Sequence, residues 1–588
     1  MKSEFNISAF PSKGILRIIL IILAPVINRI LGFKKMEHFY KKSELEGLPK
    51  ENFVKKTLAM LNLNYSLNEA AFSAVPGKGR FIIVCNHPFG GIEGIILADL
   101  LSRIRDDVKF MANSGLRLIR EMDDFFIYTN PLVTHNYRNI SSIRSCQEHL
   151  ENEGLLVLFP AGRVSFYDKE KKRITDGRWN RIAARMISNT DSPVMPVFIA
   201  GTNSRLFNRL GRIYYRFRLL MLPREFMKMK NRSVRLFGGK VLTPRQLRGN
   251  SREITDFLRM QTYLQDPEYI YVREEEPEAD LPDIIPAVHP NLIKDELKNL
   301  PEKQHLLDFK NYSVYYGYYD QLKNTVREIT RLREVTFREM QEGSGAERDT
   351  DSFDKTYTQL FIFDNSREEI IGAYRMGQID RLLAGGDASE IYLFKMFHFA
   401  GEFFSKMKSG VEMGRSFLIK REQGSVHAFF LLWRGIGEFF VRNPRYRYAY
   451  GTVSLSNIYD PRSIALMHRV LVGRENQVSP VSDINILIHP EVEEYLDIYR
   501  PGIKELSRII SSMEIDGKGL PVLVRQYAKM GADFASIGSD IEFRHTPGML
   551  LIIDLGHSSP ETIKRYFAEG TESYLSYSPP TPRQVPRQ

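Results

Sequence analysis

The stretch that decides the fold of the first half of the chain is RFIIVCNHPFGGIEGIILADLL, residues 80–101. An apolar run ends at a turn rich in proline and glycine, and a helix-like run follows. Strand, turn and helix in this order form the unit of a parallel sheet covered by helices, which places its sites where the strands end. Because the glycines let the backbone fold tightly, we predict that His87 and Glu93 face one cleft as a base and its orienting carboxylate. We also expect the amides of Gly90 and Gly91 to help hold an oxyanion.

Further short apolar runs closed by turn residues lie on both sides of this stretch. They are VKFMAN (108–113), LLVLFPA (155–161) and SPVMPVFIAG (192–201), with amphipathic segments between them. Hydrophobic strands that alternate with helices indicate a mostly parallel sheet. We therefore predict an α/β domain over residues 49–265.

Size and composition predict a second domain and an anionic partner. The chain has 588 residues, 43% of them hydrophobic, which is too long for a single core. Its two cysteines indicate a reducing compartment, and the formal charge of +11 favours anionic lipid or an acidic carrier protein. The sequence shows no nucleic-acid-binding motif, so we expect no nucleic acid partner. The histidines lack metal-ligand spacing, so we expect no metal.

The N-terminal stretch GILRIILIILAPVINRILGFKK (14–35) is apolar but interrupted by Arg17, Pro25 and Arg29. Its longest apolar run is about half of the roughly 20 residues that a membrane span needs. We predict that residues 1–48 form an interfacial segment, peripheral or monotopic, on the cytoplasmic face of the inner membrane. The alternative is a buried helix of the first domain.

The second half of the chain begins after an acidic, proline-rich stretch. VREEEPEADLPDIIPAVHPN (272–291) is the clearest linker signal, and we place the linker at residues 266–300. Mixed helices and strands follow, which predict a second α/β domain over residues 301–570. The proline-rich end, residues 571–588, is predicted to be disordered.

A basic segment, RLFNRLGRIYYRFRLLML (205–222), carries Leu206, Leu210, Ile213, Phe217 and Leu220 at helical spacing. Arginines line one edge of this apolar stripe. The functional interpretation is contact with anionic lipid headgroups or an acidic acyl carrier protein. The alternative is an ordinary amphipathic helix with a solvated face.

Three stretches of the first domain together resemble the glycerolipid acyltransferase family, which includes the acylglycerol-phosphate acyltransferases. They are the His87 turn, the FPAGRVS segment with Pro160, Gly162 and Arg163, and the late strand around residue 196. The family has an aspartate five positions after its histidine, whereas Glu93 comes six positions after His87. The resemblance implies that His87 activates an acceptor hydroxyl toward an acyl thioester. It also implies that Pro160, Gly162 and Arg163 help bind substrate, although alanine stands where the family has the glutamate of its FPEGTRS-like motif, which puts a phosphate-bearing acceptor in doubt.

The second half carries a set of charged residues on helices and strands. Arg333 and Phe337 lie on a predicted helix, and an arginine within the strand IIGAYRMG (370–377) needs a partner. Glu412 and Arg415 follow on the strand VEMGRSFLI (411–419). Because residues three apart on a regular strand point to opposite faces, we expect a bulge between these two.

The order of this set resembles the acyl-homoserine-lactone synthase branch of the N-acyltransferase superfamily and its hemolysin-like and ornithine-lipid relatives. The resemblance implies a GNAT-like fold with a splayed sheet that admits a pantetheine arm. It implies Glu412 as the base for an amino group, and REQGSV (421–426) as a loop that contacts the thioester. The residues to which it gives substrate-binding roles are Arg333, Phe337, Asp351, Asp354, Arg375, Arg415, Gly424 and Ser425.

The two halves together resemble the bifunctional ornithine-lipid and glycine-lipid acyltransferases. The resemblance implies that the second domain N-acylates an amino acid with a 3-hydroxyacyl group and that the first domain O-acylates the resulting lyso-lipid. It also implies an acyl-ACP or acyl-CoA thioester as the co-substrate and no bound cofactor, with acyl carrier protein, membrane lipid and the amino acid as the expected partners. One alternative is a lysophospholipid acyltransferase with a regulatory or lipid-binding second domain. Another is a membrane-active protein in which both sites are relics.

Overall fold

The computed structural model describes residues 28–29, 31–129, 137–213, 216–270, 281–472, 477–484 and 486–577. Most of the predicted interfacial segment, and residues 578–588 of the predicted tail, therefore lie outside the described residues. Within the described ranges, no helix is both long enough and apolar enough to span a membrane. The chain divides into two compact units, one of residues 1–269 with 488–500 and the other of residues 270–487 with 501–588.

The strands of the first unit are β1 Asn64–Leu67, β2 Phe81–Cys85, β3 Val108–Asn113, β4 Phe126–Thr129, β5 Leu155–Leu158, β6 Phe166–Asp168, β7 Arg173–Thr175, β8 Val194–Ala200 and β9 Ser233–Gly238. Those of the second unit are β10 His305–Phe309, β11 Tyr312–Gly317, β12 Thr358–Asp364, β13 Glu369–Gln378, β14 Phe397–Phe399, β15 Gly410–Leu418, β16 Tyr448–Ser454, β17 Val478–Pro480, β18 Asp533–Asp540 and β19 Thr546–Asp554.

The helices, in chain order, are α1 Phe33–Lys42, α2 Lys50–Leu61, α3 Glu69–Phe72, α4 Ile92–Ser102, α5 Tyr137–Glu151, α6 Ile182–Thr190, α7 Arg205–Ile213, α8 Arg216–Met227, α9 Ser251–Tyr263 and α10 Pro290–Lys298. They continue with α11 Lys323–Arg338, α12 Ile379–Leu382, α13 Gly401–Met407, α14 Val426–Arg442, α15 Pro461–Leu471, α16 Pro490–Tyr499, α17 Ile503–Ser511, α18 Val522–Lys529, α19 Pro560–Phe567 and α20 Thr571–Leu575.

The first unit is built on a seven-stranded sheet of order β1-β9-β8-β2-β5-β3-β4. All of its neighbouring strands run parallel except β8 and β9, which are antiparallel. Every residue of β2 is buried, as expected for a central parallel strand covered on both faces. The predicted parallel sheet with covering helices is confirmed, and His87 follows the carboxyl end of this central strand.

The second unit is built on an eight-stranded sheet of order β10-β11-β12-β13-β15-β16-β19-β18. Its strands are antiparallel except for β15 and β16, which run parallel and pair only from Gly410 to Glu412. Beyond Glu412 both strands continue without pairing to each other, which confirms the predicted splay of the sheet.

Strand β15 does have a bulge, but it lies at Arg415 and Ser416 and not between Glu412 and Arg415 as predicted, because Glu412, Met413 and Gly414 pair with β13 in regular steps. The pairing of β13 with β15 shifts register here, because Ala373 lies opposite Phe417 whereas Arg375 lies opposite Gly414. Arg415 takes a left-handed backbone conformation with φ of 49°. The extra residue changes which face of the strand the following side chains reach.

Several sequence-based expectations differ from the structure. Residues 290–298 of the predicted linker form α10, because Ile293 is buried in the core of the second unit. Residues 571–575 of the predicted disordered tail form α20, since Tyr574 is buried and its hydroxyl donates to the Tyr446 carbonyl. Residues 488–500 fold with the first unit although the sequence analysis placed them in the second domain.

The apolar stripe predicted for the basic segment is not the buried face. In α7 the buried residues are Phe207, Asn208 and Gly211, whereas Leu206 and Ile213 are exposed. The buried face of the helix is rotated about its axis by about one residue relative to the predicted face, because Phe207 packs into the cluster around Val164.

Candidate active sites

The first candidate site is a contact between His87 and Glu93. His87 Nδ1 lies 2.8 Å from Glu93 Oε1, and the Glu93 side chain is fully buried in the first turn of α4. The contact is close but not aligned as a hydrogen bond. Gly90 between them has a φ of 98°, and a Cβ there would lie 2.7 Å from Val164, so the turn needs glycine.

The Glu93 carboxylate is also anchored by the backbone of the turn. Oε1 accepts hydrogen bonds from the amides of Phe89 at 3.0 Å and Gly90 at 2.8 Å, and Oε2 accepts one from Gly91 at 3.0 Å. These donors fix the carboxylate against the imidazole. The expectation that the Gly90 and Gly91 amides hold an oxyanion is therefore wrong, since both already donate to Glu93.

Burial and charge act in opposite directions on the two groups. Burial by itself would lower the pKa of His87, but the adjacent Glu93 carboxylate and then Asp176 raise that pKa above its usual value. Burial would raise the pKa of Glu93, whereas His87 and the turn amides lower it. The arrangement therefore stabilises a protonated imidazole beside a charged carboxylate, which suits a general base.

The FPAGRVS segment packs directly on this histidine. The Phe159 ring lies 4.5 Å from the His87 ring, and the Ser165 amide donates to the His87 carbonyl at 2.8 Å. Pro160 is buried, and Gly162 turns the chain with a φ of 64°. Arg163 is exposed, and its guanidinium lies over the Phe166 ring at 4.8 Å.

Sequence reasoning missed Asp176, which is part of the same site. Its Oδ1 accepts hydrogen bonds from the Ser165 hydroxyl at 2.5 Å and from the His87 amide at 3.2 Å. Its Oδ2 accepts one from Trp179 Nε1 at 2.9 Å, and burial raises the pKa of this carboxyl. The sequence shows this acid in a polar stretch just after β7, but its separation from His87 along the chain gives no reason to connect the two residues.

The second candidate site is a buried network of three arginines and several aspartates in the second unit. Arg333 Nη2 lies 2.5 Å from Asp354 Oδ1, and Arg375 Nη1 lies 2.5 Å from Asp351 Oδ1. Arg375 also approaches Asp354 at 3.4 Å, and Arg415 approaches Asp351 at 3.8 Å. Burial would raise the pKa of Asp354, but Arg333 and Arg375 hold it well below its usual value. The structure thus brings the predicted arginines and aspartates together.

Glu412 lies beside this network where β15 and β16 separate. Its Oε2 accepts a hydrogen bond from the Tyr357 hydroxyl at 2.7 Å, and only 3% of the residue is exposed. Burial raises the pKa of Glu412 to about 7, although the Tyr357 hydrogen bond and the Arg375 charge oppose the rise. A carboxylate with this pKa can exchange a proton near neutral pH.

Three further members of the network carried no sequence signal. Arg415 Nε lies 3.4 Å from Asp349 Oδ2, and its Nη2 donates to the Tyr392 hydroxyl at 3.2 Å. That hydroxyl donates to the Asp540 carboxylate at 2.7 Å. Tyr392 and Asp540 are far apart in the sequence, so only the fold unites them.

Some nitrogens of the network have no hydrogen-bond partner within it. Among the described residues, Arg333 Nε and Arg375 Nε are buried without a hydrogen-bond partner. Arg415 Nε and Arg333 Nη1 also lack an aligned hydrogen bond, but both face Asp349 Oδ2, at 3.4 Å and 3.7 Å. Because buried polar groups are normally satisfied, the two Nε groups are the donors that an acidic group of a substrate can use.

The remaining predicted residues lie at the edges of this site. Phe337 packs in the core, with its ring 5.0 Å from that of Phe543, and Arg415 lies 4.4 Å from the same Phe543 ring. Ser425 caps α14 by accepting a hydrogen bond from the Ala428 amide, and Gly424 before it has a φ of 88°. Phe337 therefore supports the site from behind, whereas Gly424 and Ser425 mark a helix N-terminus near which a phosphate is favourable.

Family comparisons match both halves of the chain. Residues 32–268 match the acyltransferase family Acyltransf_2, and residues 332–434 match the acetyltransferase (GNAT) domain family Acetyltransf_5. The two matches contain the His87 and the Glu412 sites respectively.

Two curated relatives come from Bacteroides thetaiotaomicron. One is a glycine N(alpha)-acyltransferase, 28% identical over 295 residues that cover 46% of this chain and 86% of the relative. The other is a lyso-glycine lipid O-acyltransferase, 24% identical over 173 residues that cover 28% of this chain and 62% of the relative. The crystal structure of the 1-acyl-sn-glycerophosphate acyltransferase from Thermotoga maritima aligns with 16% identity over 36% of this chain and 75% of its own, with a TM-score of 0.25.

Proposed function

We infer that this chain builds an aminolipid by two acyl transfers. It is an acyltransferase in which an acyltransferase domain is followed by a GNAT domain. The second unit N-acylates an amino acid with a 3-hydroxyacyl group, and the first unit O-acylates the new 3-hydroxyl. The observation that carries the proposal is the presence of two separate buried bases, a histidine paired with a carboxylate and a carboxyl that Tyr357 hydrogen-bonds and whose pKa is about 7.

In the N-acyl transfer, Glu412 takes a proton from the ammonium group of the amino acid. The free amine attacks the thioester carbon, and as the carbon–sulfur bond breaks the nitrogen gives up its second proton to the departing thiolate, which leaves a neutral amide and a thiol. Glu412 returns its own proton to solvent. The unpartnered guanidinium nitrogens of Arg333 and Arg375 hold the acceptor carboxylate. Asp351 Oδ2, which accepts no hydrogen bond within the network, supplies an acceptor for the ammonium group.

In the O-acyl transfer, His87 acts through Nε2, since Nδ1 faces Glu93. Nε2 takes the proton from the acceptor hydroxyl as its oxygen attacks the thioester carbon. The imidazolium then gives this proton to the departing thiolate. Glu93 stabilises the imidazolium charge, and no acyl-enzyme is required.

The acceptor of this second step carries no glycerol phosphate in our proposal. Alanine at position 161 stands where the glycerolipid acyltransferases have a glutamate in their FPEGTRS-like motif, a segment that helps hold that phosphate. Two separate proteins of one bacterium bear names for the two halves of the reaction, and both names concern glycine. Glycine is therefore the first amino acid to test, with ornithine as the comparison.

The donor is proposed to be a 3-hydroxyacyl thioester of acyl carrier protein. Gly424 and Ser425 precede α14, whose first turn carries no acid, so the pantetheine phosphate can lie at this helix N-terminus. The basic composition of the chain favours an acidic carrier. Coenzyme A thioesters are the alternative donor.

The first unit also has a surface suited to a lipid membrane. Leu206 and Ile213 of α7 are exposed, with Ile213 73% accessible, and Arg205, Arg209 and Arg212 are exposed on the same helix. Exposed apolar side chains bordered by arginines bind the interface of an anionic bilayer. We propose peripheral attachment at the cytoplasmic face of the membrane through this surface.

The test is the lipid profile of a host that expresses the wild type, His87→Ala or Glu412→Gln. We expect mono- and diacylated aminolipid from the wild type, only the mono-acylated amide from His87→Ala, and neither from Glu412→Gln. A wild type that acylates lysophosphatidic acid instead, with no aminolipid, would favour the lysophospholipid acyltransferase alternative. Identical profiles for all three proteins would mean that both sites are inactive.

A further inference from the structure

Helix α16 belongs to the first unit although its residues come long after the linker. Its Tyr495 ring lies 6.3 Å from that of Phe257 on α9, and its Tyr499 hydroxyl donates to Asp256 Oδ2 at 2.8 Å. The His489 ring, just before the helix, lies 4.8 Å from the Tyr263 ring. These contacts bury one face of α16 against α9.

The first turn of this helix carries a buried carboxylate with several cationic partners. Glu491 has a side chain only 2% exposed, and it contacts Arg259 at 2.7 Å, Arg173 at 2.8 Å and Lys171 at 3.2 Å. It also accepts a hydrogen bond from the Thr175 hydroxyl at 2.7 Å. Burial would raise the pKa of Glu491, but Arg259, the Thr175 hydrogen bond and the other cations lower it to about 2.

From Glu491, an unbroken series of contacts leads to the backbone of His87. Arg259 donates to the Thr175 hydroxyl at 3.3 Å and to the Asp176 carbonyl at 3.1 Å. The Asp176 carboxylate accepts from the His87 amide and from the Ser165 hydroxyl, and the Ser165 amide donates to the His87 carbonyl. Both backbone polar groups of His87 are thus held by residues that Arg259 and Glu491 fix in place.

We propose that Glu491 is a positioning residue for the His87 base, acting through Arg259 and Asp176, so that α16 is a working part of the O-acyltransferase unit. The proposal rests on the proposed function of His87. It means that the O-acyltransferase is not contained in residues 32–268, the part that matches the family. A chain interrupted at the linker would separate the base from the helix that supports it.

The competing explanation is that Glu491 only stabilises the fold. The two explanations differ in whether the loss of the Glu491 charge changes the pH at which His87 is protonated. The charged groups that face His87 are Glu93 from α4 and Asp176 from the segment after β7, and Arg259 from α9 faces Asp176. Glu491→Gln removes the carboxylate that contacts Arg259 most closely, so more of the Arg259 charge acts on Asp176 and on His87. The protonated imidazole is then less favoured, so His87 should lose its proton at lower pH.

The experiment compares the full-length wild type with Glu491→Gln and with a matched control, Glu494→Gln. Glu494 lies on the same helix and contacts Lys171 and Arg173, but its side chain is 41% exposed. The first measurement is the pH dependence of the carbethoxylation of His87 by diethyl pyrocarbonate, quantified by peptide mass spectrometry. The second is the amount of N- and O-acylated product.

We expect Glu491→Gln to move the His87 midpoint to lower pH and to reduce O-acylation at least about tenfold, with N-acylation within about twofold of the wild type. The control should match the wild type. An unmoved midpoint in Glu491→Gln overturns the proposal, whether or not O-acylation falls, because a merely structural role would leave the His87 charge balance unchanged.

A second variant keeps the test decisive if Glu491→Gln does not fold. Arg259→Gln removes the cation instead, so the His87 midpoint should move to higher pH, and a midpoint that stays or falls overturns the proposal. If the wild type performs no O-acylation, the proposed function fails, yet the carbethoxylation of His87 still decides whether Glu491 acts on it.

Discussion

Tyr357→Phe tests the assignment of Glu412 as the base of N-acylation. The Tyr357 hydroxyl donates to Glu412 Oε2 at 2.7 Å, which favours the charged carboxylate and opposes the rise in its pKa caused by burial. A hydrogen bond to a charged group contributes about 1.5 kcal/mol, which corresponds to about one pKa unit. Removing it should raise the pKa of Glu412 from about 7 to about 8.

The expected effect on rate follows from the fraction of Glu412 that is deprotonated. At about pH 7 this fraction falls from one half to roughly one tenth, so amide formation slows about fivefold. At about pH 9.5 both proteins are deprotonated and the rates converge. The assay follows thiol release from a 3-hydroxyacyl thioester with glycine, and confirms the amide by mass spectrometry. Because both proteins use the same amine, its own ionisation cancels in the ratio.

Tyr450→Phe is the matched control, since Tyr450 is also buried near Glu412 but its hydroxyl donates to the Met407 carbonyl. Tyr450→Phe should leave the N-acylation rate below about pH 8 equal to that of the wild type. Tyr357→Phe also leaves the Tyr392 amide, which donates to the Tyr357 hydroxyl, without its acceptor, so thermal unfolding should be compared. If Tyr357→Phe slows amide formation equally at every pH, or does not slow it at about pH 7, the assignment of Glu412 as the base is refuted.

Three further predictions concern other parts of the chain. Glu93→Gln should lower the pKa of His87, because only Asp176 then opposes the effect of burial, and should slow O-acylation by roughly 10²-fold or more, seen as accumulated mono-acylated amide in lipid extracts. Burial raises the pKa of Glu342 to about 7, so its stabilising contribution is complete below its unfolded pKa and is lost as pH rises through about 7. Glu342→Gln should therefore remove about 3 kcal/mol of the pH-dependent loss in unfolding free energy, measured by urea titrations at about pH 4 and about pH 8. Replacing Leu206 and Ile213 together by Ser should weaken binding to anionic vesicles about tenfold or more in sedimentation assays, whereas unchanged binding would exclude this surface as the attachment site.

The sequence predicts the sheets because these depend on local patterns, whereas the roles of His87 and Glu412 as bases follow from the resemblance to known acyltransferases. Runs such as FIIVC are apolar throughout, which in a short segment indicates a covered parallel strand. The separation of three between Glu412 and Arg415 predicted a bulge in this strand from its geometry alone, and the structure places the bulge slightly later, at Arg415 and Ser416. These inferences need no knowledge of distant parts of the chain.

Local sequence patterns do not predict features that depend on which distant residues pack together. The periodicity of α7 shows an amphipathic helix, but the face that is buried depends on where Phe207 meets Val164. The pattern of α16 likewise shows a helix without showing that Glu491 pairs with Arg259. Asp176 has no fixed spacing from His87, so only the fold reveals the hydrogen bond between them.

The two sites raise the pKa values of their bases by opposite means. His87 has a pKa raised by the Glu93 carboxylate in spite of burial, whereas burial raises the pKa of Glu412 in spite of Tyr357 and Arg375. Removing the neighbouring partner should therefore act in opposite directions at the two sites. Loss of Glu93 should lower the pKa of His87, whereas loss of Tyr357 should raise the pKa of Glu412 further. A pH profile that moves in the same direction in Glu93→Gln and in Tyr357→Phe would show that the cause assigned to one of the two shifts is wrong.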